Sequence, residues 1–436
     1  MLVESNGMVI AIVVFVASIA LIAWGRIHRA YIGLAASLIL LALGIVPLHK
    51  VSEYVDVDVL GLLIGMAIIT YYLEKSGFAR WIASRFLRVF GRSPMNSLIA
   101  LAYLGSLISL VLDNVSTTLL LAPVAIGIAE SLGVSIVPYV IGVALGANLV
   151  GAALMVGDPP SMMVASALDL SFTDFILFQG KPSIFFIIMA ACPIAALTLG
   201  VTAKRYIDGS RASMSARLDL NEYRMSDRGL FLTAMTVFLC VVVLLSVRNV
   251  YNIPLWMPPL LGGLLLLTIR APCDKSLDPL LKGVSWKTLI FISSVFILTG
   301  GLVETSFLTI LTLEVYELCK ADALIASTLL IWLSVLLSAF IDNIPYFAMM
   351  IPTVMRLAEI SGMNVYTLMW ALLMGGSLGG NCTYIGASAN AVAVGILEKR
   401  GHKVSFIEFS KIGAPYTVVA ILVGEAIHYL IFIAFT

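Results

Sequence analysis

The sequence Ser106-Leu-Ile-Ser-Leu-Val-Leu-Asp113-Asn114-Val-Ser-Thr-Thr118 places an aspartate and an asparagine in the middle of a membrane-grade apolar stretch. The same pair recurs 229 residues later, as Asp342-Asn343, in another apolar stretch. A carboxylate at bilayer depth costs at least about 2.5–3.5 kcal/mol, so such a residue is usually functional. Two such pairs at equivalent places predict an internal repeat with a binding site where the halves meet.

The composition is that of a polytopic membrane protein. Of the 436 residues, 61% are hydrophobic and 12% are charged, whereas a soluble domain carries about 25% charge. The net charge of +1 gives no case for nucleic acid as a partner. The five cysteines and four histidines are scattered, so we expect no metal site, no disulfide framework and no cofactor. We also expect no enzyme activity, since the sequence contains neither a Walker motif nor a catalytic cluster at membrane depth.

The apolar stretches predict an all-α protein with about ten transmembrane helices and two re-entrant hairpins. A crossing needs about 20 apolar residues, and the predicted crossings lie near 8–24, 31–47, 59–74, 134–168, 183–201, 229–247, 253–269, 287–303, 364–398 and 413–433. Two of them, 134–168 and 364–398, are too long for one span and contain Gly and Asn in the middle, so we expect broken helices. The stretches 95–130 and 324–359 carry Asp-Asn midway, and we expect hairpins with that pair at the tip.

The basic residues support this topology. With both termini outside, 21 of the 26 Lys and Arg residues, Arg29 among them, fall in predicted cytoplasmic loops, as the positive-inside rule requires. The basic stretch 202–228 is then a cytoplasmic linker. Glu74 and Glu304 end predicted crossings, where we expect solvated charges. The sequence therefore predicts a multi-pass protein of the cell (inner) membrane with its N- and C-termini outside.

Each half contains five predicted crossings, an odd number, so we expect the two repeats to be inverted. The predicted units are a first repeat at 1–201 (scaffold helices 1–92, hairpin and broken helix 95–168), the linker 202–228, and a second repeat at 229–436 (scaffold helices 229–320, hairpin and broken helix 324–398). The offset of 229 pairs residues that form turns or carry charge, namely Asp113 with Asp342, Asn114 with Asn343, Gly146 with Gly375, Gly151 with Gly380, and Gly157 with Gly386. Inverted repeats with broken helices bind substrates near the membrane midplane, at the repeat interface.

Polar side chains at the tips and breaks form the predicted binding site. Broken helices expose orphan backbone groups, and their N-termini favour anions while their C-termini favour cations. The candidate residues for substrate and ion are Asp113, Asn114, Thr117, Asn148, Asp158, Asp342, Asn343, Asn381, Thr383, Ser388 and Asn390. The coupling ion is expected to be H+ or Na+, with Na+ possible at the Asp-Asn tips, because an aspartate with a raised pKa can also carry a proton. Asp158 precedes Pro159 and can instead be an ordinary helix cap.

Three motifs resemble those of the ion transporter superfamily, particularly the ArsB/NhaD permeases and the P-protein-like and citrate-transporter-like permeases. They are Leu112-Asp-Asn-Val-Ser-Thr-Thr118, Gly157-Asp-Pro-Pro160, and Leu378-Gly-Gly-Asn-Cys-Thr-Tyr-Ile-Gly-Ala-Ser-Ala-Asn390 followed by Phe406-Ile-Glu-Phe409. The resemblance covers nearly the whole chain. It implies a scaffold domain, a moving transport domain, elevator-type alternating access and a homodimer. The first break, Val150-Gly-Ala-Ala-Leu-Met155, departs from the family pattern by lacking two hydroxyls.

The resulting prediction is a secondary active transporter in the lipid bilayer that moves a small inorganic or organic solute. Proton-coupled efflux of arsenite or antimonite is favoured, partly from the resemblance and partly because the breaks contain carboxylates and amides but no Lys or Arg to hold a polyanion. A Na+/H+ antiporter and a sodium-coupled carrier of citrate or dicarboxylates are the alternatives, and a channel or a subunit with an ATPase partner stays open. Cys382, in the second break, is either a packing residue or a thiol that contacts arsenite.

Overall fold

The computed structural model describes residues 2–90, 93–207, 225–274 and 279–434, and it is almost entirely helical. The predicted linker falls largely outside the described residues, because 208–224 are not among them. The helical architecture agrees with the fold class expected from the apolar sequence.

The first half contains eleven helices and one short hairpin of strands within the described residues. The helices are α1 Leu2–Trp24, α2 Arg29–Ala42, α3 Val51–Tyr54, α4 Val57–Lys75, α5 Phe78–Phe90, α6 Pro94–Ser109, α7 Asn114–Ser131, α8 Val137–Gly151, α9 Pro159–Ala167, α10 Ile184–Thr202 and α11 Lys204–Ile207. Strands β1 (Leu177–Phe178) and β2 (Lys181–Pro182) pair antiparallel between α9 and α10.

The second half follows the same order. Its helices are α12 Arg228–Ser246, α13 Arg248–Tyr251, α14 Met257–Asp274, α15 Trp286–Glu304, α16 Phe307–Cys319, α17 Ala323–Ser338, α18 Asn343–Ser361, α19 Val365–Gly379, α20 Ser388–Lys399 and α21 Phe406–Tyr429. The helices α15, α17 and α18 begin 229 residues after α4, α6 and α7, which is the offset that the sequence pairing predicts. The inverted orientation of the halves stays a prediction.

Seven helices among the described residues are long and apolar enough to cross a membrane. Six of them, α1, α4, α10, α12, α15 and α21, match predicted crossings, and the seventh is α7. Helices α2 and α14 are shorter apolar helices, and the stretches 134–168 and 364–398 are each divided into two helices, as expected from their Gly and Asn. The count of ten crossings and the entry of the two hairpins from opposite sides stay predictions.

The breaks occur where capping residues end one helix and start another. The Asp113 side chain caps α7 and the Asp342 side chain caps α18, because each accepts a hydrogen bond from a backbone N–H in the first turn. Such caps satisfy the orphan donors of a helix start. Asp158 caps α9 in the same way, and Pro159 supplies the fixed φ of a first helical residue.

Close helix packing brings the breaks to the tips. A Cβ on Gly146 of α8 would lie 2.0 Å from the Ala102 carbonyl oxygen of α6, and one on Gly375 of α19 would lie 2.4 Å from the Ile331 carbonyl oxygen of α17. Both members of each pair differ from the other pair by 229. Small residues at such interfaces let helix backbones touch, so the same packing device operates in both halves.

Candidate functional site

The first tip is tied to the neighbouring break by amide hydrogen bonds. Asp113 Oδ1 accepts from the N–H groups of Val115 and Ser116 at 3.0 and 2.9 Å. The Asn114 side chain accepts from Ser109 Oγ at 2.8 Å and donates to Asn148 Oδ1 at 3.3 Å. The tip and the end of α8 are therefore held together by side chains that the sequence predicted for the site.

The second tip repeats this arrangement. Ser338 Oγ, which is 229 residues after Ser109, lies 2.6 Å from Asn343 Oδ1 and 2.5 Å from the Gly376 carbonyl oxygen. Asp342 Oδ1 accepts from the N–H of Ile344 at 3.1 Å. The serine and asparagine contacts are thus common to both tips.

The partner of the second aspartate has no counterpart at the first tip. Arg29 Nη1 lies 2.5 Å from Asp342 Oδ2 and 2.8 Å from Ser388 Oγ. Arg29 was expected in a cytoplasmic loop, and the second tip was expected to lack basic groups. Both expectations are wrong, because folding brings the start of α2 against the starts of α18 and α20. No local pattern around Arg29 signals this contact.

The carboxylate of Glu74 lies beside the first tip. It is within reach of the Ser116 hydroxyl and of the electrostatic field of Asp113. One of its oxygens is buried and has no hydrogen-bond partner among the described residues. The expectation of a solvated charge at the end of α4 is therefore wrong, since the helix end is covered by protein. The first tip accordingly combines two carboxylates.

Glu304 is also partnered instead of freely solvated. It accepts from Lys50 Nζ at 2.7 Å and from the Tyr54 hydroxyl at 2.5 Å. The pKa of its carboxyl is lowered, chiefly by the hydrogen bond from Lys50. This contact fastens the end of α15 to the segment of α3 and lies apart from the tips in sequence and in bonding partners.

Amides from the two breaks join the halves directly. Asn148 Nδ2 donates to the Ser377 carbonyl at 3.1 Å and to Asn381 Oδ1 at 3.2 Å. Asn381 Nδ2 returns a hydrogen bond to the Leu145 carbonyl at 2.9 Å. Ser377 is the residue that the offset of 229 pairs with Asn148. Both asparagines are buried, so their first role is to bridge the two halves across the interface.

The second break is held by Asn390 and Thr383. Asn390 Nδ2 donates to the Gly380 carbonyl and to Asn381 Oδ1, both at 3.1 Å. Thr383 Oγ1 donates to the Ala339 carbonyl at 2.5 Å. The Asn390 Oδ1 atom is buried without a hydrogen-bond partner in the part of the chain that the structure describes. This oxygen is therefore available to a ligand.

The first break carries a comparable unused oxygen on Asp158. Asp158 Oδ1 accepts from the Ser161 N–H at 3.0 Å and from Ser161 Oγ at 2.7 Å. Its Oδ2 atom and the Thr117 Oγ1 atom are buried and have no hydrogen-bond partner among the described residues. Asp158 is only 4% exposed, so it is a helix cap that also presents a spare oxygen inside the protein.

The two breaks differ at the position of that cap. The offset of 229 pairs Asp158 with Ala387, whose methyl group cannot cap the following helix α20. Ser388, the first residue of α20, instead contacts Arg29. The first break therefore supplies its own carboxylate, while the second has an uncapped helix start beside a guanidinium.

The chain matches the family described as citrate transporter over residues 19–375. An uncharacterized transporter of Mycobacterium tuberculosis is 33% identical over 435 residues, which cover 98% of this chain and 99% of that protein. The human P protein is 28% identical over an alignment that covers 93% of this chain and 58% of the P protein.

Two solved structures share the fold at low sequence identity. The YdaH transporter of Alcanivorax borkumensis has a TM-score of 0.60 and 12% identity, with 88% of this chain and 86% of that chain covered. Neisseria gonorrhoeae MtrF, whose structure is described as illuminating a class of antimetabolite efflux pumps, has a TM-score of 0.59 and 14% identity, with 98% and 95% covered.

Proposed function

This chain belongs to the citrate transporter family and is a multi-pass secondary transporter, and we propose that it moves a small carboxylate anion together with H+ or Na+. The observation that carries this proposal is the placement of Arg29 between the starts of α18 and α20. Helix N-termini favour negative charge, and a guanidinium matches the geometry of a carboxylate. The anion would bind beside the second tip.

The spare oxygens of the two breaks support a coupling cation. Asp158 Oδ2, Thr117 Oγ1 and Asn390 Oδ1 are buried without hydrogen-bond partners among the described residues. Burying a polar group unpaired is unfavourable, and oxygens of carboxylate, hydroxyl and amide groups are ligands for hard cations such as Na+. Protonation of a carboxylate would meet the same need. The Asp-Asn tips and the breaks would thus serve anion and cation within one site.

Arsenite or antimonite efflux in exchange for protons is the second candidate. Cys382 favours it, because this cysteine is free and half-buried in the break between α19 and α20. A Na+/H+ antiporter would use the same carboxylates without an anion. The presence of Arg29 at the second tip removes one of the two reasons for preferring arsenite, since a basic group for an anion is at hand.

We further propose that transport proceeds by elevator-type alternating access, with the predicted scaffold helices 1–92 and 229–320 fixed and the hairpins and broken helices moving. The repeat of helix starts at an offset of 229 supports the two related halves that this mechanism needs. Movement of the tips past the scaffold would carry the substrate. A homodimer assembled through the scaffold belongs to the same proposal.

Transport by the purified full chain in proteoliposomes tests the proposed substrate class. Citrate, succinate, arsenite and Na+ are offered separately under an imposed pH gradient and then under an imposed Na+ gradient. We expect gradient-driven movement of a carboxylate. Movement of arsenite or Na+ with no carboxylate transport would contradict the proposal and establish one of the alternatives. Currents far above carrier turnover would establish a channel.

A further inference from the structure

Arg29 is attached to helices that lie outside the two tips. It is the first residue of α2, and its guanidinium carbon lies 5.0 Å from the centre of the Phe291 ring on α15. Helix α2 packs closely on α15, since a Cβ on Gly33 would lie 3.2 Å from Ser294 and 3.3 Å from Phe291. The charge is therefore positioned by α2 and α15, both in the predicted scaffold.

Asp342 and Ser388, which Arg29 contacts, belong to the predicted moving part. Both oxygens of Asp342 are occupied, with Oδ1 bonded to the Ile344 N–H and Oδ2 to Arg29. The side chains of Arg29 and Asp342 are 23% and 14% exposed. The pair is therefore closed, but it is within reach of a small ion.

We propose that Arg29 is a built-in counter-ion that competes with the coupling cation for Asp342. This inference rests on the proposed function, because it assumes a cation-coupled carrier. A cation on Oδ2 would lie against the guanidinium, so repulsion between like charges prevents both from occupying Asp342 together. Closure of the Arg29–Asp342 pair then expels the cation, and separation of α18 from α2 exposes the aspartate to the next cation.

The first tip provides the internal contrast. Asp113 has no ion-pair partner among the described residues, and it is exposed. The residue that the offset of 229 pairs with Arg29 is Pro258, which carries no charge. The counter-ion mechanism therefore belongs to the second tip alone. It assigns cation release, as distinct from cation binding, to the stage of the cycle in which α18 lies against α2.

Comparing net transport with exchange tests this role. Citrate is the probe, in proteoliposomes that contain the full chain, and exchange is measured as the loss of labelled internal citrate to unlabelled external citrate. Exchange does not require the cation to leave the carrier, whereas net transport does. We expect Arg29→Gln to lose net transport by about tenfold or more while exchange changes by about twofold or less. Arg29→Lys should restore much of the net transport.

Arg26→Gln is the matched control. Arg26 precedes Arg29 by three residues and lies 4.8 Å over the ring of Trp24, away from the second tip. This variant should leave both modes unchanged. Equal losses of net transport and exchange in folded Arg29→Gln would overturn the counter-ion role, and so would full net transport. Absence of citrate exchange in the wild-type protein would instead count against the proposed carboxylate substrate.

A binding measurement decides the inference even without a citrate signal. The thermal midpoint of the purified protein is followed against Na+ concentration and against pH, for wild type, Arg29→Gln and Arg29→Gln/Asp342→Asn. We expect Na+ or protons to stabilise Arg29→Gln at about tenfold lower concentration than wild type, since Asp342 is then free. The double variant should lose that gain. The other ionisable groups facing Arg29, His28 and Lys287, are the same in all three proteins. No gain with either cation would overturn the proposal.

Discussion

The two Asp-Asn tips share their backbone frame and differ in charge. At the first tip Asp113 is exposed and lies near Glu74, so the site accumulates negative charge. At the second tip Asp342 is neutralised by Arg29 at 2.5 Å. The serine and asparagine contacts are the same in both. An internal repeat therefore conserves the packing that forms a site, while residues outside the repeated motif give each copy its own electrostatics.

Neutralising the two aspartates one at a time is the strongest test of this difference. Asp342→Asn keeps a capping side chain but leaves Arg29 without its ion-pair partner. Removing one member of a partly buried pair costs about 2–3 kcal/mol, less than in a fully buried pair. We expect a lowered thermal midpoint and a loss of gradient-driven transport of about 100-fold. Asp113→Asn should lose coupling without the stability loss.

The control for that experiment is Arg29→Gln/Asp342→Asn. It removes both charges, so it should regain most of the stability and none of the coupling. Full coupled transport by both single variants would refute the assignment of the tip carboxylates. Equal stability losses in the two single variants would show that the tips are electrostatically alike after all.

The shared frame can be broken separately from the charges. Alanine at Gly146 or Gly375 would place a methyl group 2.0 or 2.4 Å from a carbonyl oxygen of the facing helix. Such overpacking costs about 1–3 kcal/mol, and we expect the larger drop in thermal midpoint for Gly146→Ala. Gly395→Ala is the matched control, since nothing lies within 4 Å of that position in α20. It should be neutral or stabilising. A neutral Gly146→Ala would show that α6 and α8 do not need close contact.

The positions of the breaks were predictable from the sequence, because capping is a local property. Asp113 and Asp342 precede α7 and α18 as expected of good N-caps, and α9 restarts at Pro159 after Asp158. The amides Asn148 and Asn381 were recognised as site residues from their place in the breaks. Their mutual contact across the halves, however, follows only from packing.

The charges at the tips were not predictable, because they depend on contacts between distant parts of the chain. Arg29 and Asp342 are 313 residues apart, and the basic loop around Arg29 satisfies the positive-inside rule whether or not it contacts a tip. Glu74 ends an apolar helix, and a sequence pattern does not reveal that α7 covers that end. The substrate preference drawn from an absence of basic groups was therefore the least secure inference.

The negative charge at the first tip is open to a smaller test. Glu74→Gln removes the carboxylate that faces Ser116 and Asp113. Two charges a few ångströms apart at a protein surface interact by about 1–4 kcal/mol, so we expect the apparent affinity for the coupling cation to fall about three- to tenfold. Transport measured against cation concentration gives this value. Glu53→Gln, at an exposed site, is the control. A gain in cation affinity on removing Glu74 would place this residue outside the cation site.

The smallest expected effect separates two roles of Ser388. The sequence suggests a ligand for substrate or ion, whereas the structure gives Ser388 a hydrogen bond to Arg29 at 2.8 Å. If the serine only orients the guanidinium, Ser388→Ala keeps the Arg29–Asp342 pair and loses one charged hydrogen bond, with about a two- to fivefold change in transport. That change should vanish in the Arg29→Gln background, because the serine then has no guanidinium to orient. A loss that persists there would make Ser388 a direct ligand. The first half offers no such residue, since the offset of 229 pairs Ser388 with Pro159, so this double-mutant cycle tests the second tip alone.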